Sequence, residues 1–241
     1  MLIRCSSMAN LRIAEVFTSV QGEGIWVGTP SVFVRVSGCN LRCVWCDTKY
    51  ASWTPEGPVR TVEQVLQEVL RENVRHVVLT GGEPMLFEGV AELASALRAA
   101  GRILTIETAG TIFRPLASDL MSISPKLSNS SPRGHLSESW VQRHESIRLD
   151  LEPLRHLVQH FDCQFKFVVN PDEGLGDLDE IEHLLAQVPG ADQHPILLMA
   201  EGTDSEILQR RQRLLVEPCI DRGWRISPRM HVDLFGNTKG T

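Results

Sequence analysis

The sequence predicts an α/β fold, a partial and open parallel β/α barrel of about six strands. Short runs rich in valine, isoleucine and leucine alternate about six times with amphipathic helical patterns, which is typical of parallel strands joined by right-handed crossovers. The chain has 241 residues, whereas a full eight-fold barrel takes ~250 residues. We therefore expect an unclosed barrel within a single domain that spans residues 1–241.

Six short apolar runs are predicted as strands. They cover 31–36, 76–79, 103–106, 119–123, 164–169 and 195–199. Polar residues follow several of these runs directly, and in a parallel sheet this is the edge where α/β enzymes bind ligands. A ligand site is therefore expected at the carboxyl ends of the strands.

The helical patterns carry their own start and stop signals. Thr61 begins a helix that runs through about residue 72, and Gln64 completes a capping box with it. The helix over 89–100 ends at Gly101, a residue suited to a left-handed cap. Further helices are predicted over 147–160, 177–187 and 204–221.

The stretch 127–145 is the exception to this alternation. It is rich in serine and proline and has little periodicity. We predict a surface insertion here, which is either a mobile lid or an excursion that the fold tolerates.

Charge and hydropathy exclude several classes of partner. The net charge is −6, from 24 Lys and Arg against 30 Asp and Glu, and no basic block of the kind that binds nucleic acid or membrane surfaces is present. No apolar run approaches the ~18 residues that cross a bilayer, and residues 1–10 lack the apolar segment of a signal peptide. We therefore expect a cytoplasmic protein with no nucleic-acid or membrane partner.

The spacing of the six cysteines is the most informative feature of the chain. Cys39, Cys43 and Cys46 are crowded into one loop after the first predicted strand, with the spacing C-x3-C-x2-C. Such crowding in an intracellular chain is more typical of metal ligands than of half-cystines. The other three cysteines belong to no motif: Cys5, Cys163 and Cys219. Cys163 and Cys219 are expected to be small buried residues.

Three thiolates on one short loop suit a reactive metal centre. They can hold a cubane iron–sulfur cluster and leave one iron without a protein ligand, and an open metal position is a reactive one. The alternative is a structural zinc ion that recruits a remote histidine, in a non-catalytic zinc-binding α/β module.

In its place after the first strand of a βα repeat, this loop resembles that of the radical S-adenosylmethionine (SAM) enzymes. The resemblance implies that Cys39, Cys43 and Cys46 hold a [4Fe–4S] cluster whose unique iron binds SAM. Reduction of the cluster then cleaves SAM to a 5′-deoxyadenosyl radical that abstracts a hydrogen atom, so the protein supplies positioning and water exclusion. The Gly-Gly-Glu-Pro run at 81–84 is similar to a SAM-contacting segment of that family.

A longer series of motifs indicates which family among the radical SAM enzymes the chain resembles. It comprises VQGEG at 20–24, GTP at 28–30, FVR at 33–35, ETAGT at 107–111, SPK at 124–126 and SPRMH at 227–231. From residue 14 to residue 237, with 127–145 outside the likeness, the chain closely resembles the 7-carboxy-7-deazaguanine synthase family. This implies a radical SAM lyase of queuosine and 7-deazapurine biosynthesis. It would convert 6-carboxy-5,6,7,8-tetrahydropterin to 7-carboxy-7-deazaguanine with loss of ammonia, and it would regenerate SAM.

The resemblance also implies which residues form the site. Those expected to bind SAM are Trp45, Cys46, Asp47, Gly82, Glu83, Ser124, Pro125 and Lys126. Those expected to bind the pterin are Val20, Gln21, Gly22, Glu23, Arg35, Thr80 and His231. No side chain is assigned as catalytic, because the radical is generated at the cluster and SAM.

Four assignments made by resemblance have a plain structural alternative. Arg35 suits the pterin carboxylate because a guanidinium forms a forked, charge-assisted pair, but a buried salt bridge would also explain it. By resemblance, Thr48 binds a Mg²⁺ ion that also meets the substrate carboxylate, whereas a helix cap is the alternative. By resemblance, Glu23 binds the guanidine-like edge of the pterin, whereas a turn carboxylate is the alternative. A solitary histidine such as His231 is often structural.

The resemblance implies partners as well. It implies a homodimer, a small-molecule pterin substrate and an external electron donor of the flavodoxin or ferredoxin type. The nearest alternative enzyme is a glycyl-radical enzyme activase, which has the same cysteine spacing but should lack the QGEG run, Arg35 and the SPK run together. No contact is predicted for residues 236–241.

Overall fold

One sheet of nine strands runs through the computed structural model, which describes residues 9–241. The strands are β1 (Asn10–Val20), β2 (Pro30–Val36), β3 (Val59–Thr61), β4 (His76–Gly81), β5 (Ile103–Thr108), β6 (Leu120–Ile123), β7 (Cys163–Val169), β8 (Ile196–Ala200) and β9 (Arg225–Ile226). Their order across the sheet is β3-β1-β2-β4-β5-β6-β7-β8-β9. Cys5 lies outside the described residues.

The helices lie mostly between these strands in sequence. The α-helices are α1 (Lys49–Ser52), α2 (Val62–Arg71), α3 (Glu88–Ala99), α4 (Glu138–Arg148), α5 (Glu152–His160), α6 (Gly176–Ala186), α7 (Ser205–Leu214), α8 (Val216–Arg222) and α9 (Met230–Phe235). Short 3-10 helices cover Gly24–Trp26, Pro84–Leu86, Ser128–Ser130, Pro171–Glu173 and Ala191–Gln193. Within residues 9–241, no helix has the length and apolar character that crossing a bilayer requires.

The predicted open α/β architecture is confirmed. The six predicted strands are β2, β4, β5, β6, β7 and β8, and each is parallel to the next. The sheet ends at β3 on one side and β9 on the other, so it does not close. Short continuous apolar runs are reliable strand signals here because both faces of a parallel sheet are covered.

Three strands were not predicted, for physical reasons. β1 is antiparallel to β2, and a bulge between Ile13 and Glu15 shifts the register, which breaks the alternation that marks a half-buried strand. β3 has three residues and β9 has two, too few for any periodicity to show.

Two helix boundaries were predicted from capping residues, and both are confirmed. At α2 the Thr61 side chain accepts from the Gln64 backbone N–H and the Gln64 side chain accepts from the Thr61 N–H. Gly101 follows α3 with φ of 76°, a conformation that glycine adopts without steric cost.

Two of the long predicted helices are wrong in extent. The range 147–160 is divided between α4 and α5, and Pro153 lies in the first turn of α5. The range 204–221 is divided between α7 and α8, with Pro218 in the first turn of α8. Proline is tolerated in a first turn because its missing N–H would have no partner there, so each proline marks a new helix.

The stretch 127–145, expected as a surface insertion, contributes to the interior. Leu127, Ser130, Val141 and His144 are each at most 2% exposed. Two of these four side chains, Ser130 and His144, are polar, so hydrophobic periodicity does not predict their burial. Cys163 and Cys219 are buried, as predicted.

Candidate active site

A cavity of about 450 Å³ opens at the carboxyl ends of the parallel strands. Each of the six central strands contributes at least one wall residue; they include Arg35, Thr80, Glu107, Ser122, Lys166 and Met199. The cysteine loop, defined here as residues 37–48, forms another part of the wall. The sheet therefore delivers side chains from distant parts of the sequence to one place.

Most of the residues singled out from the sequence line this cavity. They are Val20, Gln21, Gly22, Glu23, Arg35, Cys39, Cys43, Trp45, Cys46, Asp47, Thr48, Thr80, Gly82, Ser124, Lys126 and His231. Glu83 and Pro125 are not among the wall residues, although their sequence neighbours are.

Glu83 lies behind the wall, where it joins two strands. Its carboxylate accepts from the backbone N–H groups of Met85 (2.9 Å) and Ala109 (2.8 Å) and from the Thr108 hydroxyl (2.8 Å). The residue is 0% exposed, and burial raises the pKa of its carboxyl. In this structure the carboxylate ties the end of β4 to the end of β5, so it does not present itself to a SAM molecule as the sequence interpretation expects.

Gly82 is glycine because two backbone segments meet there. A Cβ on Gly82 would lie 2.2 Å from the carbonyl oxygen of Gly38 in the cysteine loop. The Glu83 N–H donates to that same oxygen at 2.9 Å. The sequence predicts the close approach of a ligand at this position, whereas the structure shows the close approach of the cysteine loop itself.

The three cysteines of the loop are free thiols that share the cavity wall. Burial raises the pKa of Cys39 and of Cys43 to about 12. The Cys46 sulfur lies 3.2 Å from the Ser52 hydroxyl. Within residues 9–241, no three His, Cys, Asp or Glu side chains are grouped so as to hold a metal ion.

Thr48 stands at the amino end of α1 without capping it. Its side chain makes no capping hydrogen bond with the helix, and its hydroxyl lies 3.7 Å from the Cys46 sulfur. The cap interpretation therefore does not account for this hydroxyl, which faces no stronger partner among the described residues.

Arg35 is held by a salt bridge and still reaches the cavity. Its Nε donates to Glu15 Oε1 at 2.6 Å, and the Tyr50 hydroxyl donates to the same oxygen at 2.6 Å. Among the described residues, Nε is the one guanidinium nitrogen of Arg35 with a hydrogen-bond partner. Both interpretations of this arginine are compatible, since one edge is paired and the terminal nitrogens stay free for a ligand.

A buried ion network links four segments of the wall. Lys166 pairs with Glu23, and Arg229 pairs with Glu23 at 3.2 Å and with Asp47. Burial alone would raise the pKa of the Glu23 carboxyl, but Lys166 and Arg229 hold it well below its usual value. Glu23 is therefore ionised and already has two cationic partners.

Glu107 presents a second carboxylate to the cavity. Its Oε1 accepts from the Gln21 amide at 3.1 Å and its Oε2 accepts from the Thr80 hydroxyl at 2.8 Å. Each oxygen thus has one protein donor, and a carboxylate oxygen has lone pairs for another.

His231 packs directly on Gly22. A Cβ on Gly22 would lie 2.1 Å from Nδ1 of the His231 ring, and the Met230 N–H donates to the Gly22 carbonyl at 2.9 Å. Burial lowers the pKa of His231, so the ring is neutral near pH 7. Glycine is required at this position because the imidazole takes the space of a side chain.

The segment 237–241, for which no contact is predicted, also lines the cavity. The Lys239 ammonium lies 4.3 Å from the centroid of the Tyr50 ring and 3.4 Å from the Glu56 carboxylate. These contacts anchor the segment beside α1.

Comparison with known proteins identifies the family. The radical SAM superfamily model matches residues 33–127. The chain is 43% identical over 237 residues to a 7-carboxy-7-deazaguanine synthase of Rhodopirellula baltica, a match that covers 98% of this chain and 91% of that protein. The chain belongs to the 7-carboxy-7-deazaguanine synthase family. A synthase of Halobacterium salinarum is 41% identical over 241 residues, covering 96% of this chain and 93% of that protein.

A solved structure agrees with this membership. The crystal structure of QueE from Escherichia coli superposes with a TM-score of 0.68 at 26% identity, covering 92% of this chain and 95% of that one. The predicted family and the predicted open radical SAM fold are both confirmed. As a member of the 7-carboxy-7-deazaguanine synthase family, the chain is a radical SAM enzyme, and the family implies a [4Fe–4S] cluster and SAM.

The cysteine loop fits such a cluster. Its three thiols share one wall, and Cys39 and Cys43, whose pKa values are raised, need a cationic partner before they give up their protons. In a cubane each thiolate binds a different iron, so the three sulfurs need not converge on one point. Cys39, Cys43 and Cys46 would hold the cluster.

Sequence reasoning missed several wall residues of this synthase family member. They are Glu15, Tyr50, Glu107, Lys166 and Arg229. Three of them carried a usable signal: Lys166 interrupts an apolar strand, Glu107 begins the ETAGT motif and Arg229 lies within the SPRMH motif. A charged residue in a buried strand requires a partner, and here that partner is Glu23.

Proposed function

We propose that this protein catalyses the radical SAM-dependent ring contraction of 6-carboxy-5,6,7,8-tetrahydropterin to 7-carboxy-7-deazaguanine. Ammonia is lost in the reaction, which makes the enzyme a lyase. One observation carries the proposal: the three-cysteine loop and Arg35, whose terminal guanidinium nitrogens have no partner among the described residues, line the same cavity. That cavity therefore offers a radical-generating centre and a carboxylate-binding group to one small molecule.

The cluster and SAM, when bound, supply the hydrogen-abstracting radical. The chain's own residues hold and shield them. Ser124 and Lys126 line the cavity, where the Lys126 ammonium donates to the Ser124 hydroxyl at 2.7 Å. The same ammonium lies 5.4 Å from the centroid of the Trp45 ring. These contacts support a SAM-binding wall that also includes Asp47 and Gly82.

The pterin carboxylate is assigned to Arg35. A guanidinium offers two parallel N–H donors to a carboxylate, and the pairing of Nε with Glu15 fixes the plane of the group before the substrate binds. Because both ends are charged, this contact contributes more than a neutral hydrogen bond does.

Two carboxylates of the cavity wall, Glu23 and Glu107, are candidates to bind the guanidine-like edge of the pterin. The sequence assigns this edge to Glu23, but Lys166 and Arg229 already neutralise that carboxylate. Glu107 has one neutral donor on each oxygen, from Gln21 and Thr80, and so keeps its acceptor capacity. We assign the direct contact to Glu107, with Glu23 behind it. A larger rise in KM for Glu107→Gln than for Glu23→Gln would support this order, and the reverse would contradict it.

Thr48 is proposed as a Mg²⁺ ligand. Hydroxyl and carboxylate oxygens suit this hard cation, which is often completed by the substrate. The uncapped Thr48 hydroxyl supports the proposal. Thr48→Val keeps the shape of the side chain and removes the oxygen, so the dependence of turnover on added Mg²⁺ should weaken. Unchanged dependence would contradict the assignment.

The proposal also includes a homodimer, an electron donor of the flavodoxin or ferredoxin type and a cytoplasmic site of action. Exposed apolar side chains such as Ile220 (72%) and Leu234 (57%) support a contact with a second copy. A reducing compartment keeps the cysteine thiols available for iron. Sedimentation of the loaded enzyme at several concentrations tests the dimer.

Anaerobic turnover is the decisive experiment. The chain is loaded with iron and sulfide, and a broad absorbance near ~400 nm that bleaches on reduction is expected. Carboxytetrahydropterin, SAM, Mg²⁺ and a reductant should then yield the deazaguanine, detected by mass spectrometry. A competent cluster without this product would show that the substrate is wrong. Colourless protein with stoichiometric zinc would show that the radical chemistry is wrong.

A further inference from the structure

The segment 127–148 lies between β6 and α5 and contacts the cysteine loop on both sides of Cys43. The backbone N–H of Arg42 donates to Nδ1 of His144 at 3.1 Å. The backbone N–H of Val44 donates to the carbonyl oxygen of Ser130 at 3.0 Å. Both amides that flank the middle cysteine are therefore held by this one segment.

A directed chain of hydrogen bonds stands behind these two contacts. Nδ1 of His144 accepts, so the ring proton lies on Nε2 and is donated to the Ser130 hydroxyl at 3.0 Å. That hydroxyl donates in turn to the Leu127 carbonyl at 2.6 Å. His144 is 1% exposed and Ser130 is 0% exposed. Burial lowers the pKa of His144 to about 4, so the ring is neutral at pH 7, as its acceptor role requires.

The segment is itself anchored to the barrel. Trp45 in the cysteine loop donates through Nε1 to Asn129 Oδ1 at 3.2 Å. The Asn129 amide donates to the Val168 carbonyl at 3.0 Å and to the Asp177 carboxylate at 2.8 Å. The Arg42 guanidinium lies 4.5 Å from the centroid of the Trp140 ring. The loop is thus connected through this segment to β7 and α6.

We propose that residues 127–148 form a brace that fixes the backbone around Cys43, and that His144 is its principal positioning residue. The inference rests on the proposed function only in taking Cys43 as a cluster ligand. An amide that donates to the brace is not free to donate to a cluster sulfur, and such hydrogen bonds tune the reduction potential of iron–sulfur clusters. The brace therefore sets both the position of Cys43 and the number of donors around the cluster.

Variants at His144 separate the two ring nitrogens. His144→Phe keeps the shape and removes both hydrogen bonds. His144→Asn places an acceptor near the Nδ1 position, whereas His144→Gln places its amide near Nε2. His76→Phe is the matched control, because His76 is also a buried histidine that bridges two hydroxyls, those of Ser31 (2.7 Å) and Thr105 (2.8 Å), at the opposite end of β4.

Amide hydrogen exchange of the full chain, before and after loading with iron and sulfide, is the first readout. His144→Phe should accelerate exchange at Arg42 and Val44 about tenfold, which corresponds to about 1.4 kcal/mol, whereas His76→Phe should not. His144→Asn should restore protection at Arg42, and His144→Gln should not. Equal acceleration in both Phe variants, or equal rescue by Asn and Gln, would overturn the proposal. If His144→Phe does not fold, the comparison of Asn with Gln decides alone.

The midpoint potential of the loaded cluster is the second readout. His144→Phe should shift it, His144→Asn should move it back towards the wild-type value, and His76→Phe should leave it unchanged. An unshifted potential in His144→Phe would overturn the effect on the cluster. Failure of the proposed function is distinguishable, because the exchange pattern of the iron-free chain does not depend on a cluster or a substrate.

Discussion

Replacing Arg229 with methionine removes a cation from the centre of the buried ion network. The side chain is 7% exposed; it pairs with Glu23 and Asp47 and donates to the Gly202 carbonyl. Removing one partner of a buried ion pair costs about 3–5 kcal/mol, because the other charge stays buried. Glu23 keeps Lys166, and Asp47 has a side chain that is 32% exposed. We therefore expect the lower figure, about 3 kcal/mol.

Urea denaturation at pH 7, followed by tryptophan fluorescence, measures this loss. For Arg229→Met the midpoint should fall by about 1 M urea. Arg222→Met is the control, because the pair of Arg222 with Glu182 is largely exposed (28% and 51%) and an exposed pair contributes at most about 1 kcal/mol. If the two variants lost the same stability, the reasoning from burial would be refuted.

The same network predicts a dependence on pH. Burial alone would raise the pKa of Glu23, but Lys166 and Arg229 hold it well below its usual value of 4.5. A carboxyl with a depressed pKa stabilises the folded state above its unfolded pKa, and that stabilisation is lost as the pH falls. The stability that Glu23 contributes to the wild type should therefore be full above about pH 5 and be lost progressively below pH 4.5, and this acid-induced loss should be smaller in Arg229→Met. Equal losses in the two proteins down to about pH 3 would exclude Glu23 as the source.

Three further predictions concern the cavity wall. Arg35→Lys should lower kcat/KM for the pterin about 10–100-fold, because a point charge replaces the fork; steady-state kinetics that show less than a threefold change would contradict the carboxylate assignment. Gly22→Ala should raise KM with little change in cluster content, since a Cβ there meets His231 at 2.1 Å. Cys43→Ser should abolish the absorbance near ~400 nm while Cys219→Ser keeps it, and iron analysis of both variants checks this.

The parts of the site that were predictable are local in sequence. The three cysteines lie within eight residues of one another, and the loop follows a strand made of a continuous apolar run. Residues this close in sequence stay close in space however the rest of the chain folds. The same holds for the capping box at Thr61, where both partners lie within one helical turn.

The parts that were not predictable depend on pairing across the fold. Lys166 meets Glu23 over 143 positions of sequence, and no local pattern joins them. His144 and Ser130 are buried in the 127–145 stretch and hydrogen-bond to each other. Because both are polar, hydrophobic periodicity does not predict their burial. The bulge in β1 also prevents prediction of a long strand, because the alternation of apolar and polar residues changes phase at one residue.

Arg229 also has a consequence for the order in which the molecule matures. It meets Glu23 across 206 positions and Asp47 across 182, so these contacts form only after residue 229 has left the ribosome. Contacts between distant positions close late because loop-closure entropy must be overcome first. The cysteine loop is synthesised early but is joined to this arginine only after residue 229 has been made. Iron is therefore expected to enter a chain that has been synthesised past Arg229, and a shorter nascent chain should hold it poorly.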